Sequence, residues 1–300
     1  MGRVSKILLC GVVAVAFLLL LVAIALQGGV PVLAPSGAVA YQQRDLIVVA
    51  TLLMLLVVIP VYILTFAIAW RYRAGNTKAT YKPHFSSSKP LEAIWWGVPL
   101  VIVSILAVIT WYTSHSLDPF KPLPATSNEP LKVQVVALQW RWLFIYPEQN
   151  IASVNHLEIP ANTPVNFEIT SDAPMNSFWI PALGGQIYAM SGMSTKLHLI
   201  ADRTGTFRGS SANISGEGFS GMSFQVQASK KSDFDNWVKD LKNNKPRLGV
   251  TDYIELARPT TDKKTLYYGS VDDGLYDTVI DKYTNPSLHN TGEYQEGMDH

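Results

Sequence analysis

The chain has 300 residues, of which 48% are hydrophobic and 16% are charged, and its formal net charge at pH 7 is +1. Soluble proteins carry about 25% charged residues, so this deficit and a mean hydropathy of +0.15 indicate a membrane-associated chain. The balanced charge argues against a nucleic-acid partner, and the single cysteine, Cys10, excludes a disulfide framework and a cysteine-based metal site.

The first 40 residues have the layout of a signal peptide or an N-terminal anchor. An uncharged apolar run from Ile7 to Leu26 follows two basic residues, and its length also suits a retained membrane anchor. Both interpretations of residues 1–40 stay open, and Ala38-Val39-Ala40 resembles a small-residue cleavage motif. Lipoprotein processing needs a cysteine at the end of such a run. Cys10 stands near its beginning, and we expect it to carry no lipid.

Residues 41–115 are expected to form a transmembrane helical hairpin. Two uncharged stretches, Leu46 to Trp70 and Ala93 to Tyr112, can each cross a hydrocarbon core about 30 Å thick at about 1.5 Å per residue. The loop between them is basic, and its first acid is Glu92. Its basic residues are Arg71, Arg73, Lys78, Lys82 and Lys89. By the positive-inside rule this loop faces the cytoplasm, so everything after about residue 115 is predicted to be periplasmic.

A proline-rich linker over residues 116–130 precedes a region with the period of β-strands. Apolar and polar residues alternate in short segments there, and clusters of Pro, Gly and Asn separate them. The segments expected as strands are residues 131–138, 165–170, 195–200 and 222–228. Several short strands with turns at this spacing predict a β-sandwich over residues 131–229.

The remaining residues predict a helical, aromatic-rich extension over 230–285. Apolar side chains recur at helical spacing from Phe234 to Leu241, and a second helix is expected around Leu275 to Tyr283. Residues 286–300 lack apolar periodicity and are expected to be a disordered tail. The predicted fold class is therefore membrane-anchored α+β, with a two-helix hairpin, a β-sandwich and a short helical extension.

Two blocks of sequence resemble the metal-carrying frame of one protein family. Met175-Asn176-Ser177-Phe178-Trp179 and the loop ending at Met222 are similar to the segments that hold the binuclear copper (CuA) centre in subunit II of the haem-copper respiratory oxidases. The positions matching the ligands hold Asn176, Ser211, Asn213, Ser215, Phe219 and Met222, of which only Met222 keeps its type. Copper at such a centre requires thiolates and imidazoles. The resemblance implies a cupredoxin-like sandwich that has lost its metal.

The asparagine and phenylalanine at the lost ligand positions, and the aromatic-rich extension, are similar to the quinol-oxidase branch of the cytochrome bo type. The resemblance runs from about Val39 to Tyr283. It implies subunit II of a proton-pumping terminal ubiquinol oxidase in the bacterial inner membrane, acting as a docking subunit without a redox centre. Haems, CuB, ubiquinone and the chemistry would belong to subunit I, and the implied partners are subunits I, III and IV and the bilayer. The alternatives are subunit II of a menaquinol oxidase and a membrane-tethered cupredoxin-like binding module.

Glu92 is the ionisable residue of greatest interest, and it has two interpretations. Lys89-Pro90-Leu91-Glu92 is typical of a helix start, with proline in the first turn and an acid stabilised by the helix dipole. The family resemblance instead implies a carboxylate at the mouth of a proton-conducting pathway of subunit I. Our hypothesis is that Glu92 takes up protons.

Other candidates have stronger structural interpretations. Trp140 matches an aromatic that receives electrons in cytochrome c oxidases, but without copper behind it packing is the better interpretation. Met193 and Met222 are expected in the core. The histidines show no ligand spacing, and His198 is expected to be structural. They are His84, His115, His156, His198, His289 and His300.

Overall fold

The computed structural model describes residues 20, 23, 30–77, 79–80, 87–123 and 129–285. Several predictions lie outside these residues. They concern Cys10, most of the predicted signal or anchor, Lys78, Lys82, His84, residues 124–128 of the linker, His289, His300 and the tail over 286–300. The chain divides into two units, one of residues 44–118 and one of residues 1–43 with 119–300.

The smaller unit contains most of one long apolar helix, from residue 44 onward, and all of a second. Helix α1 spans Ala38–Arg71 and α2 spans Lys89–Ser116, and both are long and apolar enough to cross a membrane. Each helix is longer than its predicted span. The prediction counted only the uncharged apolar stretch, whereas the polar residues at each end continue the helix. Large apolar side chains such as Leu52, Phe66 and Leu100 are exposed, which agrees with helices that face lipid.

The larger unit contains two packed β-sheets, which confirms the predicted sandwich. Its first ten strands are β1 (Leu131–Ala137), β2 (Trp142–Tyr146), β3 (Ile151–Val154), β4 (His156–Pro160), β5 (Val165–Ser171), β6 (Asn176–Trp179), β7 (Ile187–Ala189), β8 (Thr195–Leu199), β9 (Gly205–Ser211) and β10 (Ser223–Ser229). One sheet has the order β12-β3-β2-β1-β5-β8, where β12 is Leu266–Tyr268, and the other has the order β4-β10-β9-β6-β7. The pairs β1–β5 and β4–β10 are parallel, and the remaining pairs in these two sheets are antiparallel.

Aromatic side chains fill the space between the sheets. Phe178 and Phe224 stack with their ring centroids 5.2 Å apart, and Trp142 meets Phe178 edge-on at 5.4 Å. Burying each such ring contributes about 1.5–3 kcal/mol. Phe178 follows Asn176 by two residues, and Phe224 follows Met222 by two. The stacked pair therefore fixes the separation of Asn176 and Met222, two of the positions that match copper ligands in the family.

The extension forms the expected helices and one that was not predicted. Helix α3 spans Lys231–Asn244, α4 spans Val250–Ala257 and α5 spans Leu275–Thr284, with short strands β11 (Arg247–Leu248) and β13 (Ser270–Val271) between them. The short α4 escaped prediction because Val250 and Ile254 are exposed and obscure its buried face.

The sheet continues beyond the predicted sandwich boundary at residue 229. Strand β12 pairs antiparallel with β3 and covers an edge that would otherwise offer unpaired backbone groups. Helices α4 and α5 also cover the outer face of the six-stranded sheet, where Tyr253, Tyr276 and Val279 pack in one apolar cluster with Val136 and Ile145. Because both faces of this sheet are buried, sandwich and extension share one folded unit.

The end of the predicted signal or anchor segment belongs to the same unit. Ser36 is 1% exposed, its backbone N donates to Ala182 O at 2.7 Å, and its O accepts from Asp202 N at 2.9 Å. Arg203 Nη2 donates to Ser36 Oγ at 2.7 Å. A Cβ on Gly37 would lie 2.3 Å from Ile200 O, so this approach requires glycine. Residues 36–40 are therefore packed against the sandwich.

Candidate functional site

Three of the residues predicted at ligand positions meet at one end of the five-stranded sheet. Asn176 begins β6, Ser211 ends β9, and Met222 immediately precedes β10. Register brings them together, because β9 pairs with both β6 and β10, and Ser211 N donates to Met222 O at 3.1 Å. The β5–β6 loop (172–175) and the β9–β10 loop (212–222) surround this point, and we refer to them as the first and second loops.

Hydrogen bonds in and beside the two loops occupy the positions where the family resemblance places lost copper ligands. Ser211 Oγ donates to Asn176 Oδ1 at 3.0 Å, and both residues are buried. Asn176 Nδ2 donates to Pro174 O at 2.7 Å, and Asn213 Nδ2 donates to Met175 O at 2.8 Å. Each neutral hydrogen bond contributes about 0.5–1.5 kcal/mol. Amide and hydroxyl groups thus crosslink the loops directly.

The residues present do not fit a binuclear copper centre. Amide and hydroxyl oxygens are poor partners for copper, Phe219 has no ligand atom, and the thioether of Met222 alone is a weak ligand. Met222 is 1% exposed and packs in the core, as predicted. Across the described ranges, no group of three or more His, Cys, Asp or Glu residues is placed to hold a metal ion. The chemistry available at this end of the sandwich is packing and hydrogen bonding.

Trp140 covers the second loop. Its Nε1 donates to Ser215 O at 3.2 Å, and its ring lies against Gly216 and Gly218. A Cβ on Gly218 would lie 2.3 Å from Trp140 Cδ2, so the close contact depends on glycine there. The half-buried indole therefore holds the loop, as the packing interpretation expects.

Four exposed apolar residues stand in or near the two loops. They are Met175, Tyr188, Met193 and Ile214, whose exposed fractions are 45%, 48%, 53% and 80%. We refer to these four residues as the loop patch. The Asn213–Met175 bond joins two of its segments, and Ser191 Oγ donates to Ala173 O at 3.0 Å, which brings in the segment of Met193. Large apolar side chains grouped at the surface mark interaction sites.

The prediction that Met193 lies in the core was wrong. Met193 follows Gly192, whose φ of +72° turns the chain outward between β7 and β8, and its side chain is exposed. The alternation of apolar and polar residues around Met193 does not indicate this outward turn.

Sequence reasoning missed a buried carboxylate beside the first loop. The Asp172 side chain is 1% exposed and accepts three hydrogen bonds from the extension. The donors are Tyr253 Oη at 2.7 Å, Lys282 Nζ at 2.7 Å and Tyr283 Oη at 2.6 Å. Burial and the charge of Asp172 raise the pKa of Tyr283 above its usual value. The only sequence signal was an acid directly after a strand in a chain with a tyrosine-rich end.

Glu92 lies in the first turn of α2, in the other unit. Its backbone N donates to Ser88 O at 2.9 Å, and Pro90 stands in the same turn. The Ser88 side chain makes no capping hydrogen bond. This is the helix start that the sequence predicted, and it leaves the carboxylate partly exposed.

The described histidines lie apart from one another. His198 Nδ1 is 2.8 Å from Asn166 Oδ1, and burial lowers the pKa of His198. His156 Nε2 is 3.1 Å from Glu158 Oε2, and His115 Nδ1 is 2.7 Å from Trp111 O in α2. These contacts agree with structural roles.

Comparisons with known proteins agree with this architecture. The model described as "Cytochrome C oxidase subunit II, periplasmic domain" matches residues 148–229, and "COX Aromatic Rich Motif" matches residues 242–287. Cytochrome bo(3) ubiquinol oxidase subunit 2 of Pseudomonas putida is 51% identical over 249 residues, 83% of this chain and 79% of that protein.

More distant relatives cover similar shares. Ubiquinol oxidase subunit 2 of Acetobacter aceti is 49% identical over 255 residues, 85% of this chain and 83% of that protein. Quinol oxidase subunit 2 of Bacillus cereus is 42% identical over 229 residues, with shares of 76% and 78%. The two family models confirm the predicted cupredoxin-like sandwich and aromatic-rich end, and the two apolar helices precede them in the structure as predicted. With this identity over most of both chains, the protein belongs to the subunit 2 family of the ubiquinol oxidases.

Proposed function

We propose that this chain is subunit II of a proton-pumping terminal ubiquinol oxidase, and that it docks subunit I without a redox centre of its own. The observation that carries the proposal is the closed hydrogen-bonded site, in which Asn176 and Ser211 bond to each other where the family resemblance expects copper ligands. Ubiquinol would pass its electrons directly to the haems and CuB of subunit I, where oxygen is reduced to water. A copper relay in this chain is then unnecessary.

The proposed topology is a hairpin in the bacterial inner membrane. Helices α1 and α2 are each long and apolar enough to span it, and the basic residues between them favour a cytoplasmic loop. The sandwich then lies in the periplasm, facing the outer side of subunit I. Subunits III and IV complete the proposed complex.

The loop patch supports docking through the sandwich. Its exposed methionines, Met175 and Met193, adapt readily to a partner surface, and Ile214 projects from the second loop. An isolated exposed apolar residue is ordinary, but four around a closed polar centre form a surface that a partner can desolvate. We assign this surface to subunit I.

Glu92 is the proposed proton-uptake group. The carboxylate forms no ion pair with any of the described residues and stands in the first turn of an apolar helix, at the expected cytoplasmic boundary. An acid at a water–membrane boundary can load protons and pass them inward. The competing role is stabilisation of the helix start through the helix dipole, which requires an acid at the same position. Turnover measurements distinguish this role from proton uptake.

The test is purification of the native membrane complex. Quinol oxidation, cytochrome c oxidation and metal content are measured on the complex, and metal content is measured again on this chain after separation. Activity with quinol alone and a copper-free chain are expected. A near-infrared band of a mixed-valence copper pair in this polypeptide would overturn the proposal.

The same preparation addresses the alternatives. A chain that purifies without haem proteins would favour the membrane-tethered binding module. Comparing ubiquinol with menaquinol as donor separates the two oxidase branches. The relatives of 51% and 49% identity, from Pseudomonas putida and Acetobacter aceti, are named ubiquinol oxidase subunits, which favours ubiquinol as the donor.

A further inference from the structure

The extension contacts the first loop through a buried carboxylate, that of Asp172. A buried carboxylate is costly unless it is paired and hydrogen-bonded. Asp172 meets both conditions, because Tyr253 of α4 bonds to Oδ2, while Lys282 and Tyr283 of α5 bond to Oδ1. The two carboxylate oxygens thus hold two separate helices.

Asp172 is also the first residue of the first loop. Its backbone N donates to Ala137 O at 2.8 Å, which fixes it to the end of β1. Ser171, the residue before it, donates from Oγ to Ala173 O at 2.8 Å, and Met175 O further along the loop accepts from Asn213 Nδ2. The carboxylate therefore stands at the base of a hydrogen-bonded path that leads to Asn176 and to the second loop.

Adhesion of the extension does not require this carboxylate. Tyr253, Leu256, Tyr276 and Val279 already bury apolar surface in one cluster with β1, β2 and β3. Apolar burial is non-directional, whereas a carboxylate bonded on both oxygens defines one geometry. Asp172 is thus suited to orientation.

We propose that Asp172 is an anchoring site through which the C-terminal extension holds the first loop of the candidate site in shape. In a copper-binding relative the metal would crosslink the two loops. Here the extension restrains one loop from outside, the Asn213–Met175 bond joins it to the other, and the Asn176–Ser211 bond joins the strand residues beside them. The proposal concerns contacts within the chain and does not depend on the identity of the oxidase partner.

The test is hydrogen exchange, read by mass spectrometry, on the full chain in its purified membrane complex. Tyr253→Phe and Tyr283→Phe each remove one donor from Asp172 and leave the ring in place. Tyr276→Phe is the matched control, because Tyr276 is buried in α5 but bonds to Ser194 at 2.9 Å.

Loss of one hydrogen bond to the carboxylate should speed exchange of the first-loop amides at residues 173 and 175, and of the adjoining amide of Asn176, by about tenfold or more. The control should leave these amides unchanged. Unchanged loop exchange in both tyrosine variants, or equal acceleration in the control, would overturn the proposal. Acceleration confined to α4 and α5 would also overturn it, since the bonds would then hold only the extension.

Discussion

Two buried serines of the candidate site provide a matched pair in which the same substitution should have different effects on stability. Ser211 and Ser215 are 7% and 9% exposed, and they stand four residues apart. Ser211 Oγ donates to Asn176 Oδ1 at 3.0 Å, whereas Ser215 Oγ is buried and makes no hydrogen bond within the described part of the chain. The same substitution to alanine therefore removes a hydrogen bond in one case and an unpaired hydroxyl in the other.

The expected magnitudes follow from what each change leaves behind. Ser211→Ala leaves the buried Oδ1 of Asn176 unsatisfied and should lower the free energy of unfolding by about 1–3 kcal/mol. For a domain of this size that corresponds to a fall in Tm of roughly 2–12 °C. Ser215→Ala removes a desolvated hydroxyl and should leave stability unchanged or raise it by up to about 1 kcal/mol.

The assay is thermal unfolding of the full chain in detergent, followed by the near-ultraviolet circular dichroism of its buried aromatic residues. The difference between the two variants matters more than either absolute shift, because both carry the same loss of a hydroxyl in the same region. Destabilisation by Ser215→Ala as large as that by Ser211→Ala would refute the account, since Ser215 would then have a partner of its own. An unchanged Tm in both variants would show that the Asn176–Ser211 bond does not hold the loops.

Three further predictions concern other parts of the chain. Glu92→Gln should slow turnover of the oxidase without loss of assembly, with Glu255→Gln as an exposed control, and unchanged turnover would return Glu92 to a capping role. Burial raises the pKa of Tyr276 and Tyr283 above the ordinary 10.0, so the stability they contribute is present below pH 10 and is lost as pH rises above it. Urea unfolding from about pH 9 to about pH 11 should show the decline, and replacing both tyrosines with phenylalanine should make it shallower. Part of the decline should remain, because burial also raises the pKa of Tyr146, Tyr267 and Tyr268. Mass spectrometry of the mature chain should find Ser36 retained, because it is packed against the sandwich, and a mature terminus after residue 40 would contradict that packing.

The main elements could be predicted because each has a local signal. The strands β1, β5, β8 and β10 and the helices α3 and α5 appeared where alternation or helical spacing indicated them. The apolar helices followed from length and lack of charge. The absence of thiolates and imidazoles at the expected copper positions was visible in the residues themselves.

Other features depend on contacts between residues far apart in the chain. Asp172 meets Tyr253, Lys282 and Tyr283, which lie 81, 110 and 111 residues away. The pairing of β12 with β3 places part of the extension in the sandwich, and residues 36–40 join it from the other end of the chain. The hydrophobic pattern of the sequence gives no information about such contacts, because it depends only on residues close together in the chain.

By itself the sequence determined the classes of element, their order and the impossibility of a binuclear copper site, since periodicity and side-chain chemistry are local properties. Only the tertiary structure decided what replaces the metal. Asn176 bonds to Ser211 across a strand pair, Trp140 closes over two glycines, and the charge of Asp172 is satisfied by two helices of the extension. Each of these depends on distance and burial, which arise only when the sheets pack together.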